Sequence, residues 1–177
     1  MSKAGKRSNK GKGIMLPLVE EFYSIQGEGY HTGKPAYFIR LGGCDTGCYW
    51  CDSPYTWNPD IHPLTAVDNI VKNVLYSGTK SVVVTGGEPL MWNLDNLSGV
   101  YGISGIWDWI CLSPKKNRPP LKTICNIANE LKVIIENKDD LNWAEICRSE
   151  VSNDCILYLQ PEWSRFKTIT PIIVDYV

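Results

Sequence analysis

At 177 residues the chain is long enough for one domain that buries roughly two thirds of the surface its unfolded form exposes, so no disulfide or metal staple is needed simply to hold a core. Its 18 Lys and Arg against 19 Asp and Glu give no field of one sign, which excludes an electrostatic case for nucleic acid or an anionic membrane and points to a small partner. No apolar run approaches the roughly 20 residues of a membrane span, and the first twenty residues lack the apolar centre of a signal peptide, so the cytoplasm is the expected location.

Residues 1–14 (MSKAGKRSNKGKGI) hold five Lys or Arg among Gly and Ser, with too little apolar content to offset the entropy of ordering. They are expected to form a disordered basic tail. A basic arm that grips RNA is the less favoured reading of the same stretch. Residues 15–177 are expected to form the folded domain.

Within that domain, Ala36–Leu41 (AYFIRL) is the first predicted strand, followed by the loop Gly42–Asp52. Leu64–Tyr76 then places Leu64, Val67, Ile70, Val71 and Val74 at the spacing of one helix face. Ser81–Thr85 (SVVVT) is the second strand and leads into Gly86–Pro89. Trp109–Leu112 (WICL) is the third, ahead of Ser113–Lys115. Pro119 and Pro120 set the start of a helix over Leu121–Glu130, with Leu121, Ile124, Ile127 and Ala128 on its apolar side. Leu131–Ile135 (LKVII) and Ile156–Leu159 (ILYL) are the fourth and fifth strands, the last opening into Gln160–Trp163. Continuous β-branched and aromatic runs suit strands covered on both faces, and their alternation with helices implies an α/β fold with a mostly parallel sheet. Ligands of such sheets bind beyond the carboxyl ends of the strands, where the loops just named all lie.

Seven cysteines are an odd number, and three crowd into eight residues while Cys111, Cys125, Cys147 and Cys155 are scattered among apolar neighbours. This suits reduced thiols and a ligand cluster, not a disulfide framework. The spacing Cys44-x3-Cys48-x2-Cys51 lets one short loop wrap three thiolates around a 4Fe–4S cubane. One iron is then left for a bidentate ligand such as the amino and carboxylate groups of a methionine. Zinc is the first alternative, but structural zinc takes four ligands and the only histidines, His31 and His62, lie at no finger spacing. A thioredoxin-like pair, Cys48 with Cys51, is the second, and it leaves Cys44 without a role. Trp50 either shields a cluster from water or simply packs. Gly86-Gly87-Glu88-Pro89 follows a strand, where two glycines let the backbone approach a ligand and Glu88 offers a carboxylate suited to an ammonium group. Alone the motif is ordinary turn punctuation.

These residues together resemble the 7-carboxy-7-deazaguanine synthase family, the radical S-adenosylmethionine (SAM) enzymes of queuosine precursor synthesis. The resemblance runs from about Val19 to Val177. It is carried by EEFYSIQGEGYHTGKPAYFIRLGGCDTGCYWCDSPYTW and supported by DWICLSPKK, ELKVII and LYLQPEWS. It implies a radical SAM domain over residues 15–177, built as a reduced, partial (β/α) barrel. The implied reaction converts 6-carboxy-5,6,7,8-tetrahydropterin to 7-carboxy-7-deazaguanine with ring contraction and loss of ammonia. The implied cofactors are a 4Fe–4S cluster on Cys44, Cys48 and Cys51, SAM, and Mg2+. Carried over by position, Ile25, Gln26, Gly27, Glu28, Arg40 and Thr85 are implied pterin contacts. Gly87, Glu88, Ser113, Pro114, Lys115, Gln160, Pro161, Glu162 and Trp163 are implied at SAM. Ser53 stands where the family usually has a Thr that ligates Mg2+, and its hydroxyl is a hard but weak oxygen ligand. Arg40 suits a carboxylate because its guanidinium can bind one bidentately, while a surface salt bridge is its plainer reading. The resemblance further implies a homodimer and an electron donor such as flavodoxin or ferredoxin, with neither nucleic acid nor membrane as partner.

Between Gly87 and Ser113 the chain is roughly a helix and a strand shorter than the family, and the 93–104 stretch is short for the expected excursion and return of a parallel crossover, which takes roughly ten or more residues. Missing residues are favoured over a minimal member completed by a partner chain. The same expectation covers Val177, where the family continues through a last strand. Two other functions share the three-cysteine loop: a glycyl-radical activating enzyme, and a non-catalytic iron–sulfur or zinc-binding module.

Overall fold

The computed structural model describes residues 13–98 and 107–177, and these fall into two compact units. The first holds the chain up to Gly27 and His31–Trp107; the second holds Glu28–Tyr30 and Asp108–Val177. Of the basic tail expected over residues 1–14, only Gly13 and Ile14 are among the described residues, and of the 93–104 connection residues 99–104 lie outside them.

In the first unit the strands β1 (Met15–Ile25), β2 (Pro35–Leu41), β3 (Leu64–Ala66) and β4 (Val82–Gly86) form one sheet in the order β3-β1-β2-β4. Strand β1 is antiparallel to both β2 and β3, and β4 is parallel to β2. The expected strands over 36–41 and 81–85 are present within a residue of their bounds. Strand β1 was not expected. Its sequence MLPLVEEFYSI breaks the apolar run with Glu20 and Glu21, so it carries no continuous apolar signal. The helix expected over Leu64–Tyr76 begins instead at Val67, as α1 (Val67–Tyr76), and its first three residues form β3. Pro63 favours extended backbone before it, and Leu64–Ala66 pair with Pro17–Met15. Val67, Ile70 and Val74 of α1 are 3%, 0% and 1% exposed, against Tyr37, Ile39 and Leu41 of β2. Full burial of such side chains is worth about 1.5–3 kcal/mol each. Odd-numbered residues of β2 thus face the helix, and Phe38 and Arg40 face the other way.

In the second unit β5 (Cys111–Leu112), β6 (Glu130–Ile135) and β7 (Ile156–Pro161) form a parallel sheet in that order. Its helices are α3 (Lys122–Cys125), α4 (Asp139–Glu150) and α5 (Phe166–Tyr176). A short helix, α2 (Asp95–Ser98), is the last described element of the first unit, and it is numbered in chain order. Leu131, Val133 and Ile135 pack under Leu141, Ala144 and Cys147 of α4 and Ile169 and Ile173 of α5. The strand expected over Trp109–Leu112 is shortened to Cys111–Leu112, because Trp109 is engaged by a stacking contact and a hydrogen bond described below. The helix expected over Leu121–Glu130 is cut to Lys122–Cys125. The Asn129 side chain accepts from Ile110 N at 2.9 Å and the Asn129 and Glu130 amides donate to Ile110 O, which turns the chain into β6 early. Three of the five strand pairings among the described residues are parallel, so the class is α/β with mostly parallel strands. Among the described residues no helix is long and apolar enough to cross a membrane.

Candidate functional site

The cysteine loop leaves the carboxyl end of β2 and is closed by backbone hydrogen bonds. Gly43 N donates to Thr56 O at 2.7 Å, Cys44 N to Trp57 O at 3.1 Å, and Cys51 N to Cys48 O at 3.0 Å. Trp92 Nε1 donates to Gly42 O at 2.8 Å and its ring lies against Gly43, which has φ of +105°. The turn after β4 packs backbone against backbone on this loop: Gly87 N donates to Leu41 O at 2.9 Å and Glu88 N to Gly43 O at 2.7 Å. A Cβ on Gly87 would stand 2.2 Å from Gly43 O and 3.0 Å from Cys44 Cβ, so only glycine fits. The two motifs are therefore one construction.

Cys44, Cys48 and Cys51 are in no disulfide and are partly exposed. Among the described residues no three His, Cys, Asp or Glu side chains converge to hold a single metal ion. In a cubane each thiolate binds its own iron, so cluster ligands stand apart around it and do not meet at one point. Three accessible thiols on one closed loop, none of them in a disulfide, fit that donor set. Trp50 is half-buried beside them. Ser53 is buried, and its hydroxyl donates to Asp52 Oδ1 at 3.0 Å, which sets two hard oxygen donors side by side. Glu88 Oε1 accepts from Leu90 N at 3.0 Å and caps the Pro89–Met91 turn. Its Oε2 has no protein partner among the described residues.

On the sheet face away from α1, Glu20, Arg40 and Thr85 stand in one row, as partners across β1, β2 and β4. Arg40 Nε donates to Glu20 Oε1 at 2.7 Å, and Tyr55 Oη donates to the same oxygen at 3.4 Å. Phe22 stacks on Phe38 beside the row, with centroids 5.2 Å apart. Arg40 thus does make an ion pair, as its plainer reading held, with a side chain only 22% exposed. Ile25, Gln26 and Gly27 lie at the other end of the β1–β2 ladder, where Gln26 N donates to Lys34 O at 2.9 Å. Ile25 pairs with Pro35, five residues from Arg40, or about 17 Å at ~3.4 Å per residue.

In the second unit the Glu28–Tyr30 segment lies on the polar face of β6 and β7. Glu28 accepts from Lys132 Nζ on β6 and, at 3.1 Å, from Gln160 Nε2 on β7. Burial alone would raise the Glu28 pKa, but the Lys132 bond and charge and the Gln160 bond outweigh it and hold the carboxyl below its usual value. Tyr30 N donates to Glu130 Oε2 at 3.2 Å, and the Tyr30 ring stacks on Trp109 at 4.6 Å. Trp109 Nε1 and Cys111 Sγ also donate to the Glu130 carboxylate, at 3.0 and 3.3 Å. Gly29 has φ of +68°, and a Cβ there would stand 2.0 Å from Glu130 Oε1. Burial, with Glu130 next to it, pushes the Cys111 thiol up to about 12.

Of the other expected residues in this unit, Lys115 Nζ bonds Ser113 O and Oγ, both at 2.8 Å, and Pro114 is buried between them. Gln160 and Pro161 end β7. Glu162 accepts from Ser164 N and Oγ, which hold its pKa low, and it caps the Trp163–Arg165 turn. Trp163 is 88% exposed. Sequence reasoning missed Glu20, Tyr55, Trp92, Trp109, Glu130 and Lys132. The one local signal was Lys132, a lone charge in the middle of an apolar strand.

A family model described as a 4Fe-4S single cluster domain matches residues 25–103. A 7-carboxy-7-deazaguanine synthase of Flavobacterium psychrophilum is 54% identical, over 94% of this chain and 86% of its own. The Synechocystis sp. protein of the same name is 43% identical, over 85% and 79%. Among solved structures, QueE from Escherichia coli is similar with a TM-score of 0.77 and 27% identity, covering 92% of this chain and 89% of that one.

Proposed function

The chain belongs to the 7-carboxy-7-deazaguanine synthase family, and from that premise we propose that it is a radical SAM lyase acting on 6-carboxy-5,6,7,8-tetrahydropterin, with the residues named above in the roles that follow. The observation that carries the reading is the closed Cys44–Cys51 loop locked to the glycine turn at Gly87. Cys44, Cys48 and Cys51 hold the 4Fe–4S cluster, which together with SAM supplies a hydrogen-abstracting radical when both are bound. Gly87, Glu88, Ser113, Pro114, Lys115, Gln160 and Pro161 are the SAM contacts that the family resemblance implies. Glu88 keeps an oxygen for the ammonium group. Glu162 and Trp163 serve that site through the turn Glu162 caps.

Arg40 binds the substrate carboxylate through the terminal nitrogens that its Nε bond to Glu20 leaves available, and Thr85 stands beside it. Gln26 with its neighbours Ile25 and Gly27 serves the other end of the elongated pterin, as their separation from Arg40 along β1 suits. Glu28 accepts from ring N–H donors. Phe22 and Phe38 keep water from the row. Ser53, next to Asp52, is the Mg2+ ligand, which fits because both are hard oxygen donors. The radical SAM domain spans residues 15–177 in a partial (β/α) barrel. The protein is a cytoplasmic homodimer reduced by a one-electron carrier of the flavodoxin or ferredoxin type.

The test is anaerobic reconstitution with iron and sulfide, then dithionite, SAM, Mg2+ and 6-carboxytetrahydropterin, with mass spectrometry of the products and Cys48→Ala as control. 7-Carboxy-7-deazaguanine that vanishes in the variant is the expected result. 5′-Deoxyadenosine without it would sink the pterin assignment, and neither compound from a fully loaded cluster would sink the enzyme.

A further inference from the structure

The Ser53 hydroxyl faces two acceptors of different kinds. Its Oγ lies 3.0 Å from Asp52 Oδ1, to which it donates, and 3.9 Å from Cys51 Sγ, within hydrogen-bond reach of sulfur. The residue that carries this oxygen is held firmly. Ser53 O accepts from Thr56 N at 3.0 Å and from Thr56 Oγ1 at 2.8 Å, Thr56 is 0% exposed, and Thr56 O in turn holds Gly43 N. Ser53 is itself only 8% exposed, so bulk water competes little for its hydroxyl.

A hydroxyl has one hydrogen and two acceptor lone pairs, and the hydrogen turns to suit its surroundings. While Cys51 is a thiol it can donate to Ser53 Oγ, which leaves the serine hydrogen for Asp52. A Cys51 thiolate on iron has no hydrogen, so the two side chains can then bond only with Ser53 as donor. Asp52 and Cys51 thus compete for one hydrogen, and the nearer carboxylate takes it as long as no cation occupies Asp52. A divalent cation held by Asp52 Oδ1 and Ser53 Oγ repels the hydroxyl hydrogen from the shared side. Cys51 Sγ is the acceptor that remains, and only the O–H torsion has to change.

We propose that Ser53 couples the two metals of the site: with Mg2+ in place its hydroxyl turns to Cys51 Sγ and stabilises the reduced state of the cluster. The proposal rests on the reading that Ser53 ligates Mg2+. Reduction adds one electron, from dithionite in vitro, and makes or breaks no bond at Ser53. A hydrogen bond to a ligand sulfur offsets part of the added negative charge and so raises the potential. Electrons then enter most readily once the Mg2+ that accompanies substrate has arrived.

The test is a redox titration of the reconstituted, SAM-free protein, followed by electron paramagnetic resonance of the reduced cluster without Mg2+ and at saturating Mg2+, with calorimetry of Mg2+ binding alongside. The Ser53 side chain makes no cap bond to the turn that follows it, so Ser53→Ala is expected to fold. At a fixed potential Mg2+ should raise the reduced-to-oxidised ratio in wild type about fivefold more than in Ser53→Ala, the worth of one hydrogen bond, because the charge of Mg2+ acts on both proteins and the hydroxyl on one. Ser53→Thr keeps the hydroxyl and should restore the wild-type response. In D2O, pulsed resonance should show a deuteron coupling that appears with Mg2+ in wild type and is missing from Ser53→Ala. Equal Mg2+ responses in wild type and Ser53→Ala, each saturated, overturn the coupling and leave the Mg2+ site standing. If Ser53→Ala cannot be saturated, absence of the deuteron coupling from Mg2+-loaded wild type overturns it instead. Mg2+ affinity unchanged by Ser53→Ala would fell the Mg2+ reading, and the proposal with it.

Discussion

Gly87→Ala tests the claim that the cysteine loop and the glycine turn are one construction. The added Cβ would lie 2.2 Å from Gly43 O, where ordinary contact begins near 3.4 Å, so the two backbones must part by about 1 Å. That displacement breaks the 2.7 Å bond from Glu88 N to Gly43 O and strains the 2.9 Å bond from Gly87 N to Leu41 O. One bond lost with its groups unpaired, and a second weakened, costs about 2–4 kcal/mol. At ~2–4 °C per kcal/mol for a chain of this size, the apoprotein should melt about 5–15 °C lower. Gly43 directly precedes Cys44, so the shift also reaches the first thiolate, and reconstituted iron content should fall well below that of wild type. Gly27→Ala is the control for stability: nothing lies within 4 Å of its Cβ position, and its φ is not positive. Thermal melts of the apoprotein by circular dichroism, with iron and sulfide assays after reconstitution, read both effects. If Gly87→Ala melts within a degree or two of wild type and takes up full iron, the packing argument is wrong.

Arg40→Lys loses both the planar fork and the Nε bond to Glu20, and should weaken a 6-carboxylated pterin about tenfold while leaving a pterin without that carboxylate unaffected; equal loss for both ligands would refute the assignment. In the apoprotein at pH 8, iodoacetamide should label Cys44, Cys48 and Cys51 first. Cys147, buried and held at about 11, should lag in timed peptide mapping; early labelling of Cys147 would contradict this. Burial raises the Asp140 pKa, but the Lys116 bond and the Glu136 and Asn137 amides outweigh it, so the folded value lies below 3.8. The stability this lends is present above pH ~3.8 and is lost as pH falls through the folded value. Thermal melts should therefore show Asp140→Asn less stable than wild type at pH 7 and converging with it below about pH 4; a gap that persists unchanged to pH 3 would show that the charge is not its source.

What could be read in the sequence was whatever is repeated locally. Strands β2, β4, β6 and β7 are largely continuous apolar runs, and each stood out without context. Strand β1 did not, since a mixed run such as Val19 to Tyr23 becomes a strand only when β2 is there to pair with it. The helix begun at Lys122 stopped early because Ile110, more than ten residues upstream, claims Asn129. In the site, the thiols and glycines were legible because their chemistry is carried by close spacing. The partners of Glu28 were not: Lys132 and Gln160 lie 104 and 132 residues away, and no local pattern links a lone lysine to a distant glutamate.

The pairing of Arg40 with Glu20 depends on one irregularity in the β1–β2 ladder. Leu18 stands opposite Leu41, but the next pair is Glu20 with Arg40, so Val19 is an extra residue at a bulge. In an unbroken ladder continued from Leu18, Val19 would oppose Arg40 and Glu20 would oppose Ile39, which is 0% exposed. A carboxylate would then be driven into the core and the arginine would face an aliphatic side chain. The bulge restores phase for the rest of the strand, so that Phe22 meets Phe38 on the same face as the ion pair, and Glu21 turns to α1, where it accepts from Asn73. Strand β1 thus switches from a segment that serves the core, through Leu16 and Leu18, to one that serves the polar row. That switch explains both why its sequence carries no single period and why the arginine next to the cysteine loop has a fixed orientation.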